Sequence, residues 1–96
     1  MREEIVNPEN YPPEILAKIQ TARNLTISIA NRWMLGWPER VQSLMDSGDY
    51  WTALVRQTET EADAQAELID QAERLNLAPW EVNDLAGLDP APPVPR

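Results

Sequence analysis

Between Gly48 and Pro79 the chain runs without a glycine or a proline, its longest such stretch, and that run limits what the rest of the chain can be. Within residues 49–76, Trp51, Leu54, Ala62, Ile69 and Ala72 recur at helical spacing on one face. Glu59, Asp63, Glu67 and Asp70 follow four- and three-residue steps along another face, with Glu73 at its edge. A helix of this length measures about 40 Å. Its apolar face must be buried against a second element, and its period excludes a strand.

The second element lies upstream. Pro13 suits the first position of a helix, where a missing N–H costs nothing, and Pro12 is held out of the helical region by the proline after it. A predicted helix then covers residues 13–35, with Ile15, Leu16, Ile19, Ala22, Ile29, Ala30, Trp33 and Met34 at helical spacing. Leu25 and Ile27 widen its apolar arc past half the circumference, so it needs cover on two sides, from other helices or from a second copy of the chain. Gly36 is expected to end it in the left-handed conformation. Pro38 opens a short predicted helix over 38–47, with Val41, Leu44 and Met45 facing inward. Gly48 stops that helix, and the Asp49 carboxylate is expected to cap the long one.

At about 15 Å the short helix cannot retrace its long neighbours. It therefore serves as an elbow, and the two long helices, 13–35 and 49–75, form an antiparallel hairpin. Asn76 takes a left-handed stop; Pro79 opens a fourth helix over 79–86, whose Val82, Leu85 and Ala86 cap the bundle before Gly87. The expected fold is all-α, a small helical bundle in a single domain over residues 12–88. Residues 1–11 form a flexible N-terminal arm from which Ile5, Val6 and Tyr11 can dock, and residues 89–96 form a proline-rich flexible tail.

Ninety-six residues allow one modest core. Sixteen acidic against eight basic residues give a net charge of −8, a field that repels nucleic acid and anionic membranes and suits a basic protein partner. No run of about 18 apolar residues exists to span a bilayer, and the first residues lack the apolar core of a signal peptide, so a cytoplasmic protein is expected. Seven of the eight basic residues are arginine, a bias typical of GC-rich bacterial genomes. Histidine and cysteine are absent, which removes the commonest general base, the thiol nucleophile and the usual transition-metal ligands. The three glycines stand apart, so there is no phosphate-binding loop, and no acidic run has calcium-loop spacing. A non-enzymatic protein without cofactor or metal is the expectation.

Four features stand out as candidate sites. Arg23 falls within the apolar arc of the first helix and Glu61 within that of the third; the hairpin that sets Met34 beside Trp51 also sets these two opposite each other, as a buried structural ion pair. The acidic line of Glu59, Asp63, Glu67, Asp70 and Glu73 is either a solvated face or a docking face for a basic partner. Trp33, Trp37 and Trp51 gather at the elbow, and Trp37, between Gly36 and Pro38, is the candidate exposed anchor. Residues 90–93 have PxxP spacing, the form of a ligand for groove-binding modules. Together these point to a protein-protein interaction or accessory module. The alternatives are an acidic mimic of nucleic acid that blocks a basic nucleic-acid-binding protein, and a structural homodimer subunit.

Overall fold

The computed structural model describes residues 4–5 and 7–93, and within them every regular element is helical. A single 3₁₀ turn, Pro8–Asn10, precedes α1 (Pro13–Gln20), α2 (Asn24–Gly36), α3 (Pro38–Ser47), α4 (Tyr50–Glu67), α5 (Ile69–Leu75) and α6 (Pro79–Leu85). Pro13, Pro38 and Pro79 each stand at the first position of a helix, as their fixed φ favours. Gly48 and Gly87 adopt left-handed φ values of 82° and 75°, and Asn76 does so at 54°, so the expected stops are made at these three places.

The predicted helix over 13–35 is two helices. Thr21 Oγ1 donates to the carbonyls of Ala17 and Lys18 at 3.3 and 3.1 Å, and Arg23 is extended at φ −64°, ψ 157°. A threonine hydroxyl bonded three and four residues back competes with the backbone ladder and bends a helix. The chain restarts at Asn24, with Ile27 N–H donating to the Arg23 carbonyl at 3.1 Å. The long third helix is likewise divided, at Leu68, whose φ of −103° and ψ of 11° separate α4 from α5. Gly36 closes α2 without positive φ. The Asp49 carboxylate makes no cap bond to α4; it accepts from Ser47 Oγ at 3.1 Å instead.

Ile19, Ile29, Ala30, Trp33, Leu44 and Leu54 form the centre of the core, with Tyr11 and Tyr50 buried among them. Tyr50 lies tilted to Tyr11 with ring centroids 6.2 Å apart, and edge-on to Trp33 at 6.3 Å. α2 packs against α1, α3 and α4, and α6 folds back on α4. Trp33 of α2 meets Tyr50 of α4, close to the pairing expected of the hairpin, while its neighbour Arg32 reaches Glu61, eleven residues further along α4. The molecule measures 41 × 32 × 19 Å. Its thinnest dimension is about two helix diameters, room for one buried layer.

Both flanks are attached to the body. Ile5 packs on the core, and Asn31 Nδ2 donates to the Glu4 carbonyl at 2.8 Å. Tyr11 gives its hydroxyl proton to the Ala30 carbonyl at 3.3 Å. Residues 89–93, expected as a flexible tail, are strapped across α2, α3 and α4. Residues 1–3, Val6 and residues 94–96 lie outside the described residues.

A carboxylate-anchored cradle and an exposed acidic face

Glu61 lies on the inner side of α4, 1 % exposed. An ionised carboxylate in such a place needs partners for its lone pairs. Arg32 supplies two in a fork, Nη1 to Oε1 at 3.2 Å and Nη2 to Oε2 at 2.6 Å. Gln57, one turn earlier on α4, donates Nε2 to Oε2 at 2.6 Å. The expected buried acid is therefore present, but its base is Arg32 and not Arg23. On an unbroken helix these two arginines would point in opposite directions, about 180° apart. The break at residues 21–23 leaves Arg23 exposed in front of α2 and makes the α2 face independent of α1.

The groups that hold Glu61 also hold the proline-rich strap. Arg32 Nε donates to the Pro90 carbonyl at 3.2 Å, and the Trp33 indole N–H donates to the same oxygen at 3.0 Å. Gln57 Nε2 reaches the Asp89 carbonyl at 3.1 Å. Arg40 Nη1, from α3, donates to the Pro92 carbonyl at 3.0 Å, and the Pro92 ring is buried. The strap is turned onto this cradle by its own aspartate, since Asp89 Oδ1 accepts the Ala91 N–H at 2.9 Å, an Asx-type turn. The cradle thus draws on α2, α3 and α4, with Glu61 at its base fixing both Arg32 and Gln57.

Glu59, Asp63 and Glu67 on α4, and Asp70 and Glu73 on α5, are all exposed. The bend at Leu68 divides their line in two. Beside the second part lie two large apolar side chains in water: Ile69 is 54 % exposed and Leu75 65 %. Most helices of a small domain bury such residues, and α5 leaves them out.

The tryptophans divide by role. Trp33 is fully buried. Trp51 is half-buried under the Lys18 ammonium, 5.7 Å from the ring centre, which ties α1 to α4. Trp37, the expected exposed anchor, is half-buried and forms the joint between two helices: its N–H closes α2 on the Trp33 carbonyl at 2.8 Å, and its carbonyl accepts from Val41 at 3.0 Å. The exposed apolar residue at that joint is Leu35. Among the described residues no three acidic side chains converge to hold a metal ion, and no helix is long and apolar enough to cross a membrane.

Sequence reasoning missed the cradle because its acceptors are main-chain carbonyls, which no residue letter encodes. Two signals were present: the Asp89-Pro90 pair, a turn former, and the four-residue step from Gln57 to Glu61. No family model, curated protein or solved structure matches the chain, so function is argued from these contacts.

Proposed function

We propose that the protein is a non-enzymatic interaction module, a small bacterial cytoplasmic accessory or regulatory protein whose partner is a protein with basic residues around an apolar centre. The observation that supports this most directly is the pairing, on α5, of exposed Ile69 and Leu75 with exposed Asp70 and Glu73. Apolar contact supplies affinity once water is expelled, and surrounding carboxylates select and steer a basic partner. A net charge of −8 extends that steering beyond the contact itself. Mimicry of nucleic acid calls for carboxylates arrayed in two dimensions, and a line broken at Leu68 suits it less well.

The test is a paired capture from the native host with wild-type protein and with an Ile69→Ser/Asp70→Lys/Glu73→Lys variant, at low and at high salt. The expected result is a protein retained by the wild type at low salt, weakened at high salt and lost in the variant, while both proteins give the same helical circular dichroism. A partner retained equally by the variant would place the interface elsewhere.

A further inference from the structure

We propose that the cradle of Arg32, Trp33, Arg40 and Gln57 is a binding site for proline-rich segments, and that a partner's segment of the pattern Asp-Pro-x-Pro takes it by displacing residues 89–93 of this chain. The strap shows what the site accepts. The cradle reads carbonyls, those of Asp89, Pro90 and Pro92. Each donor is an indole, guanidinium or amide N–H, which carries no preference for the side chain beyond the carbonyl. Proline-rich strands offer such carbonyls freely: their φ is preset and half their backbone donors are missing, so little order is lost on binding. An indole N–H beside an aromatic-walled groove is a recurring way to hold them.

Specificity has two sources in the strap. The buried Pro92 ring fills a space that a polar or larger side chain would not. The Asp89 carboxylate closes the turn on the Ala91 N–H, which sets the spacing of the carbonyls. Any chain with an aspartate three residues before a proline, and a proline between, meets both requirements. Neither contact needs the strap to belong to this molecule.

The site stays in shape when the strap leaves. Glu61 grips Arg32 by both oxygens and Gln57 by one, and none of these bonds involves the strap. Trp33 is fixed within the core. Such prior order lowers the cost of binding a second segment. Gly87, at φ 75°, lies between α6 and the strap, a pivot on which the strap can turn away without unfolding α6. A tethered segment competes at an effective concentration on the order of millimolar. A partner must therefore be concentrated, or must gain extra affinity elsewhere on the molecule.

The test uses the full chain, labelled with ¹⁵N, and an unlabelled peptide carrying residues 88–93. With added peptide the Ala91 amide signal is expected to move to the position of an unstructured chain while the Trp33 indole signal stays in place, because one proline strand has replaced another on the same donor. In the Pro92→Ala chain the tethered strap loses its buried ring, and the peptide concentration for half-displacement should fall about tenfold. A peptide with alanine in place of Pro92 should be about tenfold weaker on either chain. Native Ala91 signals in both chains at 10 mM peptide, on the order of ten times the tethered concentration, would overturn the proposal. So would an indole signal that moves together with Ala91, since that reports melting and not exchange. The wild-type titration stands by itself if the Pro92→Ala chain does not fold.

Discussion

Arg32 and Arg23 separate a charge that is needed from one that is not. Removing Arg32 takes both guanidinium bonds from the Glu61 carboxylate, which stays buried beside Gln57. A broken buried pair costs about 3–5 kcal/mol, and because Arg32 is 31 % exposed solvent screening lowers that figure, to about 2–4 kcal/mol for Arg32→Ala in a urea titration. Arg23→Ala, at an exposed position, should change stability by less than about 0.5 kcal/mol. The reverse order would restore the pairing expected from the helical wheel. The tyrosines give a second residue-scale prediction. Burial raises the pKa of Tyr11 and of Tyr50, and in Tyr50 the neighbouring Tyr11 adds to the effect. A raised folded-state pKa means that the native state keeps its phenol protons where the unfolded chain has lost them. The stabilisation is complete below about pH 10, the ordinary value of a tyrosine in an unfolded chain, and is lost as pH rises beyond it. The slope is about 1.4 kcal/mol per pH unit for each tyrosine still protonated. These are the two tyrosines of the chain. The Tyr50 share of the tyrosinate absorbance near 295 nm should therefore appear only together with loss of helix; absorbance from both tyrosines with the helix intact would mean that the Tyr50 hydroxyl reaches water.

At the scale of elements, the joints explain which boundaries can be read from sequence. Pro13, Pro38 and Pro79 start helices, and Gly48, Asn76 and Gly87 stop them, because each restricts or permits φ in a way that few neighbours can overrule. The breaks at residues 21–23 and at Leu68 have no such residue. They are settled by a threonine hydroxyl bonding backwards and by packing, and a continuous apolar period runs through both. The same limit applies to the site. An acid on an apolar arc marks Glu61 as buried, but the choice between Arg32 and Arg23 depends on a break the period conceals. Gly36 and Gly48 make the point measurable, as an added Cβ at either meets nothing within 4 Å beyond its own chain neighbours and local helix backbone. Gly48→Ala then meets only backbone strain at φ 82° and should cost about 1 kcal/mol. Gly36→Ala, at a helical residue without positive φ, should stabilise by about 0.5 kcal/mol. Thermal unfolding of the two variants should shift in opposite directions; equal losses would mean that Gly36 needs a freedom its conformation does not use.

The whole molecule sets a local electrostatic bond against a global repulsion. Arg32, Glu61 and the strap carbonyls form a partly buried network that salt screens weakly. The net charge of −8 is spread over a body 19 Å thin, with five acids exposed on α4 and α5 alone, and that repulsion is borne mainly by water-facing groups. At 10 mM ionic strength the screening length is about 30 Å, comparable to the molecule; at 150 mM it is about 8 Å, shorter than most distances between these acids. Added sodium chloride should thus relieve the repulsion and leave the network almost untouched. For a domain of this size about 0.5–1 kcal/mol of relief raises Tm by roughly 3–6 °C. The expected result is a Tm that climbs between 10 and 150 mM and then flattens. A Tm that falls over the same interval would show that the Arg32–Glu61 network is open to solvent and that attraction at the cradle, not repulsion across the surface, governs the stability of the fold.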